Sequence, residues 1–115
     1  ELGMKSNRLM EEAMEMQPES GLVQRLFGGS KLWTPEMFGG DPEIAMEAYA
    51  TSISIYEEAD AKVENWHFLE AKMGLAMAYN KTDQKDKAIE TLELAIAKEP
   101  QFFWAKSELA KLNKS

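Results

Sequence analysis

Residues 28–31 (GGSK), Gly39-Gly40, His67 and two pairs of methionines are the parts of this sequence whose types and spacing could do chemistry. His67 is the single histidine and there is no cysteine. Neither a nucleophile–base pair nor a histidine- or thiolate-rich metal site can be assembled from such a set. Adjacent acids such as Glu57 and Glu58 lie on different faces of a helix, so they cannot work there as a carboxylate pair. GGSK lacks a preceding strand pattern and the Gly-Lys-Ser/Thr ending that a nucleotide loop needs. It reads as helix, in which Gly28 and Gly29 permit close approach of a neighbouring helix at a propensity cost of about 1 kcal/mol each. Gly39-Gly40 precedes Asp41-Pro42, where a helix start would offer free amides to an anion. Asp41, however, is a residue type that caps such an end itself, and Pro42 suits the first helical position. The expectation is a joint between two helices, with no cofactor and no catalysis.

Met10 and Met14, and again Met73 and Met77, are spaced four apart and so share helix faces. Adaptable core filling is the expected use of the first pair. Trp33, Trp66 and Trp104 are spread along the chain and read as packing contacts at hairpin edges. Trp33 and Trp104 are also candidates for touching a partner, since interface hot spots are enriched in aromatic residues.

Those residues must be held by a single core. The chain has 115 residues, 44% of them hydrophobic and 29% charged, enough for one ordinary domain with a real interior. Its formal net charge of −7 argues against neutralising a phosphate backbone, so no nucleic-acid partner is expected. No apolar run approaches the roughly 20 residues that a membrane helix needs, and no membrane insertion by this chain is expected. The sequence opens ELGMKS without an initiating methionine, which is compatible with removal of an upstream leader, anchor or domain.

From Trp66 to Ala97 the pattern is that of two helices broken near Asn80 to Gln84. Leu69, Met73, Ala76 and Met77 recur at helical spacing in the first, with Leu75, Ala78 and Tyr79 widening the apolar face. Ala88, Ile89, Leu92, Ala95 and Ile96 make a three-and-four repeat in the second. The polar separator NKTDQK should end one helix and cap the next, and Pro100 should stop the second. A last helix is expected from about Phe102 to Leu112.

With Leu69 as the first position of a unit of about 34 residues, Leu75, Ala76 and Tyr79 fall at 7, 8 and 11, Ala88 at 20, Leu92 at 24, Ala95 at 27 and Pro100 at 32. The pattern resembles a tetratricopeptide repeat. That resemblance implies an all-α fold of helical hairpins stacked as a short right-handed solenoid. It also implies that the small positions are sites where two helices approach closely. The same frame extends upstream. Residues 1–17 resemble the second helix of a truncated repeat. Residues 21–59 form an irregular repeat with Gly28 at the small position and Ala45, Tyr49 and Ser52 imitating Ala88, Leu92 and Ala95. Gly28 to Ala45 spans 17 residues against 12 from Ala76 to Ala88, so the loop 34–40 is an insertion. A further stretch, YEEADAKVENW, adds length before Trp66. Residues 66–100 are the well-matched repeat and 102–113 a capping helix.

In that family the concave groove binds proteins or peptides. The resemblance places Leu22, Arg25, Gly29 and Leu32 on the groove in the middle repeat, and Glu70, Met73, Met77 and Asn80 in the next. The peptide-clamp members of the family commonly carry Lys and Asn where Met73 and Met77 stand here. The function implied is a non-catalytic binding scaffold. FGGDPEIAMEAY also resembles, over about a dozen residues, the tetratricopeptide-like lipoproteins associated with TRAP-type solute transporters. That second likeness implies a solute-handling accessory of a transport system, in a bacterial periplasm or envelope. Leu2, Leu9, Met10, Ala13 and Met14 make a wide apolar surface on the first helix, for which the expected partner is a missing upstream helix or, in a homodimer, a second copy.

Overall fold

The computed structural model describes residues 2–58 and 65–114, with side chains for residues 8–58 and 69–114. Trp66, His67 and most of the added stretch before them lie outside the described side chains. The regular elements among the described residues are helical: α1 (Leu2–Met16), α2 (Gly21–Trp33), a 3-10 turn (Glu36–Phe38), α3 (Pro42–Glu58), α4 (Asn65–Lys81), α5 (Lys85–Lys98) and α6 (Phe103–Lys114). The protein is all-α.

Local chemistry sets the helix ends. Ser20 Oγ accepts from the Val23 amide at 3.2 Å and starts α2. After Trp33 the inserted loop makes one 3-10 turn and closes on Gly39, whose φ of 102° is left-handed and favours glycine. The Gly40 amide donates to Pro35 O at 3.1 Å and the Asp41 amide to Lys31 O at 2.9 Å. Asp41 Oδ1 accepts from the Glu43 and Ile44 amides at 3.0 and 3.3 Å and starts α3. The donors that an anion would need are thus already used by the chain's own carboxylate and carbonyls, and the stretch is a joint.

The separator between α4 and α5 differs from expectation in one respect. It ends α4 well: Asp83 is left-handed with φ of 60°, the Gln84 amide donates to Tyr79 O at 2.8 Å and the Asp83 amide to Asn80 O at 3.4 Å. This double closure takes up carbonyls that the last turn would leave unpaired. It does not cap α5, because the Gln84 side chain makes no capping bond. Its Nε2 donates instead to Thr82 Oγ1 at 2.9 Å and lies 3.6 Å from Met46 Sδ, pinning the turn to α3.

Each helix packs on the next in sequence, and α2 also touches α4. The molecule measures 37 × 35 × 19 Å, so it is a slab about two helix diameters thick. Two cores share α4. Leu69, Met73 and Ala76 face Ala88, Leu92 and Ala95 of α5 and Phe102, Ala105 and Leu112 of α6. Ala71, Leu75 and Ala78 face Leu32 of α2 and Ala45 and Tyr49 of α3. This double duty explains why α4 is apolar nearly all round.

The two hairpins solve one packing problem with different side chains. In the α4–α5 core, Ala76, Ala88 and Ala95 are fully buried beside Leu92. In α2–α3 the Tyr49 ring packs against Gly28 of α2 and Gly74 of α4. A Cβ on Gly28 would sit 3.1 Å from the ring, and one on Gly74 of α4 would fall within it. Removing side-chain atoms from the helices on either side accommodates the larger ring. Ser52 is fully buried in α3 and its hydroxyl donates to Gly21 O at 2.7 Å.

α1 packs against α2 with no fully buried side chain among residues 8–16. Met10 and Met14, expected as core, are half-buried, while Leu9 and Met16 are largely exposed. A helix with a neighbour on one side alone cannot enclose them.

Close packing at the small positions makes overpacking costly. Ala88→Leu and Gly74→Ala should each destabilise by about 1–3 kcal/mol in urea unfolding, since the added atoms have no space to enter. Leu94→Ala, on an exposed site, should stay within about 0.5 kcal/mol. Unchanged midpoints for the first two would refute the packing described.

Candidate functional site

A cavity of about 370 Å³ opens between α2, α4 and α6. That is the size range of small-ligand sites, roughly 300–1,000 Å³. Arg25, Leu26, Gly29 and Trp33 line it from α2, Tyr49 from α3, Glu70, Gly74 and Met77 from α4, and Trp104 from α6.

Helical spacing explains this set. Leu22, Leu26, Gly29 and Trp33 form one stripe along α2, and Glu70, Gly74, Met77 and Lys81 form one along α4. The glycines keep the middle of both stripes low. Trp33 and Trp104 are 60% and 48% exposed and stand at the edges. Phe102, buried in the core, meets Trp104 edge-on with ring centroids 6.5 Å apart. That contact holds a half-exposed indole in place.

Two ties join α2 to α4, one toward each end of the cavity. Arg25 Nη1 lies 2.7 Å from Glu70 Oε2, with both side chains about four-fifths buried. Arg25 also hydrogen-bonds Tyr56, and its Nε is buried without a hydrogen-bond partner. At the other end Lys81 Nζ donates to Leu32 O at 3.1 Å and sits 4.8 Å from the centre of the Trp33 ring. It satisfies a carbonyl of the last turn of α2 and adds a cation–π contact worth about 0.5–1 kcal/mol at such an exposed place. Because Arg25 pairs with Glu70 and the later residue Leu32 with the later residue Lys81, α2 and α4 run in the same direction.

Burial pushes the Tyr49 hydroxyl up to about 12; the Arg25 charge opposes this shift and Glu70 reinforces it. Tyr56 is raised for the same first reason, with Arg25 opposing by charge and hydrogen bond. The floor of the cavity is therefore a phenol held neutral by burial beside the Arg25–Glu70 ion pair. Among the described residues no three His, Cys, Asp or Glu side chains come together as a metal-holding group.

Of the eight residues expected on a groove, Arg25, Gly29, Glu70 and Met77 line the cavity. Leu22 is exposed on the same stripe of α2, and Asn80 is exposed but does not line the cavity. Leu32 and Met73 are not surface groups: they are 1% and 0% exposed, one in each core. Each precedes a cavity residue, Trp33 or Gly74, and one helical residue is a turn of about 100°, enough to move a side chain from the open face to the interior. Leu26 and Gly74 were absent from the expected groove, although Leu26 sits four residues from Leu22 and seven from Trp33. In the sequence Tyr49 reads only as a core position. Nothing in its own helix shows that its ring reaches the far side of α2.

Charge is unevenly placed. α2 carries Arg25 and Lys31 and no acid, and α6 carries Lys106, Lys111 and Lys114 against Glu108. α3 carries Glu43, Glu47, Glu57 and Glu58, all exposed, and no base. Compared with protein-family models, with curated proteins and with solved structures, the chain matches none. Among the described residues no helix is long and apolar enough to cross a membrane.

The phenol at Tyr49 has a consequence in alkali. An unfolded tyrosine releases its proton near pH 10, whereas the folded chain holds this one to about 12. The contribution is fully present below pH 10 and is lost as pH rises from 10 to about 12. Urea midpoints measured across that window should fall less steeply for Tyr49→Phe than for the unaltered chain. Parallel slopes would mean that the hydroxyl is not buried as described.

Proposed function

We propose that this protein is a non-catalytic scaffold of tetratricopeptide-like hairpins, stacked as a short right-handed solenoid, that binds a protein or peptide on the face shared by α2, α4 and α6. One observation carries the reading. Leu26, Trp33 and Trp104, exposed apolar side chains from two different helices, line a single cavity, and Leu22 is exposed on the same stripe of α2. An apolar cluster with aromatic edges and an ion pair at its base is how interface hot spots are built. The parallel course of α2 and α4, with α3 returning between them, supports the repeat arrangement, as does the match of Gly28, Tyr49 and Ser52 to Ala76, Leu92 and Ala95.

Peptides selected on the folded chain from a random display library test this. Trp33→Ala and Leu26→Glu should each weaken the selected binders by about 1–2 kcal/mol, roughly 5- to 30-fold, while the chain stays folded and Trp33→Ala loses no more stability than the about 0.5–1 kcal/mol of its contact with Lys81. Binders indifferent to both substitutions and lost with Leu94→Glu, on α5, would place recognition elsewhere and end the reading.

The exposed Leu9 and Met16 favour a second part of the proposal, a homodimer through α1. Sedimentation should show self-association at high micromolar concentration that Leu9→Glu with Met10→Glu reduces. A strict monomer before substitution removes this part.

A further inference from the structure

We infer that the occupant of the α2–α4–α6 face is an acidic peptide segment that places one aromatic side chain in the cavity, with its flanking carboxylates on Lys81 and Lys111. The inference rests on the scaffold reading above and adds the chemistry of the ligand.

The arrangement of charge on the face carries it. Its acids are drawn inward and paired: Glu70 keeps 25% side-chain exposure against Arg25, and Glu108 keeps 20% against Lys111. Arg25 is drawn inward with Glu70, while Lys81 and Lys111 stand outward. Lys111 keeps 70% exposure and lies seven residues, two helical turns, from Trp104 on one stripe of α6. Lys81 is exposed over Trp33 and spends one donor on Leu32 O, leaving the rest of its ammonium to solvent. An approaching chain therefore meets ammonium groups first and carboxylates only behind them. The protein as a whole carries −7, and α3, with its four exposed acids and no base, packs directly behind α2. Charge segregated in this way steers an acidic segment to this face and away from α3.

The cavity supplies the anchor. Trp33, Tyr49 and Trp104 give aromatic walls, Leu26 and Met77 complete an apolar lining, and Gly29 and Gly74 leave space between them. A ring entering there meets edges and faces suited to stacked or edge-on contact. A bare cation is disfavoured, because Arg25 neutralises Glu70 and Lys81 already covers one indole.

The test uses three heptapeptides, acetylated and amidated so that neither terminus carries charge: phenylalanine flanked on each side by three glutamates, the same with lysine for glutamate, and the acidic one with alanine for phenylalanine. Binding to the full chain is read by calorimetry and by the indole N–H resonances of Trp33 and Trp104. The acidic phenylalanine peptide should bind about tenfold or more tightly than either analogue, and raising salt from 0.05 to 0.5 M should weaken it by a similar factor. Lys81→Gln and Lys111→Gln, each checked for unchanged melting, should reduce that preference while the anchor still shifts the Trp resonances.

Equal or tighter binding of the basic analogue, with the indoles still shifted, overturns the inference and leaves the scaffold reading standing. A preference that survives both lysine substitutions together also overturns it. Binding to anionic vesicles that Lys81→Gln and Lys111→Gln abolish, with no binding of the acidic peptide, overturns the inference and assigns the face to a membrane surface. Loss of self-association in Lys81→Gln without peptide assigns it to a second copy. No response of either indole to the acidic phenylalanine peptide at millimolar concentration overturns the inference, and the display selection alone then decides the scaffold reading.

Discussion

The Tyr49 ring lies where three helices meet, and the spacing of α2, α3 and α4 follows from it. Gly28 faces it from α2 and Gly74 from α4; a methyl group would be tight against the ring at the first site and would overlap it at the second. Packing of this kind tolerates little adjustment, because interiors are as dense as organic crystals and a displaced ring must move a helix. The ring also forms part of the cavity floor, so core packing and the shape of the candidate binding face are one constraint.

Around that ring the two polar ties hold α2 to α4 at separate places. The Arg25–Glu70 pair is mostly withdrawn from water, and such a pair offsets its own desolvation rather than contributing large stability. Its value here is positional. It fixes where α4 sits along α2, and it leaves the base of the cavity with no net charge. The Lys81 contact to Leu32 O and Trp33 does the same at the other end while leaving a positive charge at the surface. The cavity is bounded by groups whose alternatives would leave a buried charge or a carbonyl unpaired.

α4 carries the largest share of the architecture because it belongs to both cores. Its residues alternate between the α5–α6 side and the α2–α3 side within each turn, so a shift along its axis would disturb both at once. α6 depends on it too: Phe102, Ala105 and Leu112 reach the shared core, and Phe102 in turn fixes Trp104. α1 has no such enclosure. It touches α2 and leaves Leu9 and Met16 in solvent, and it adds little to either core.

Much of this was legible in the sequence, because helix starts and stops depend on a few neighbouring residues. Asp41-Pro42, the polar NKTDQK separator and Pro100 mark boundaries that the backbone respects, and the three-and-four spacing of apolar residues announces an all-helical chain. The spacing of Ala76, Ala88 and Ala95 showed where helices come close. Local signals could not give the rotation of each helix to within one residue. Leu32 and Trp33, or Met73 and Gly74, are equally apolar or small in sequence, and their roles part only when neighbouring helices choose which side of the stripe to cover. The lining from Tyr49 and Trp104 joins segments far apart in the chain, and no periodicity within a helix encodes how far a ring reaches past its neighbour. The sequence by itself determined the helices and their small contact points, because those rest on interactions within a few residues. The cavity, its two ties and its outward-facing lysines were decided by tertiary packing, where the fit of one ring between two glycines sets the distance at which the helices can stand.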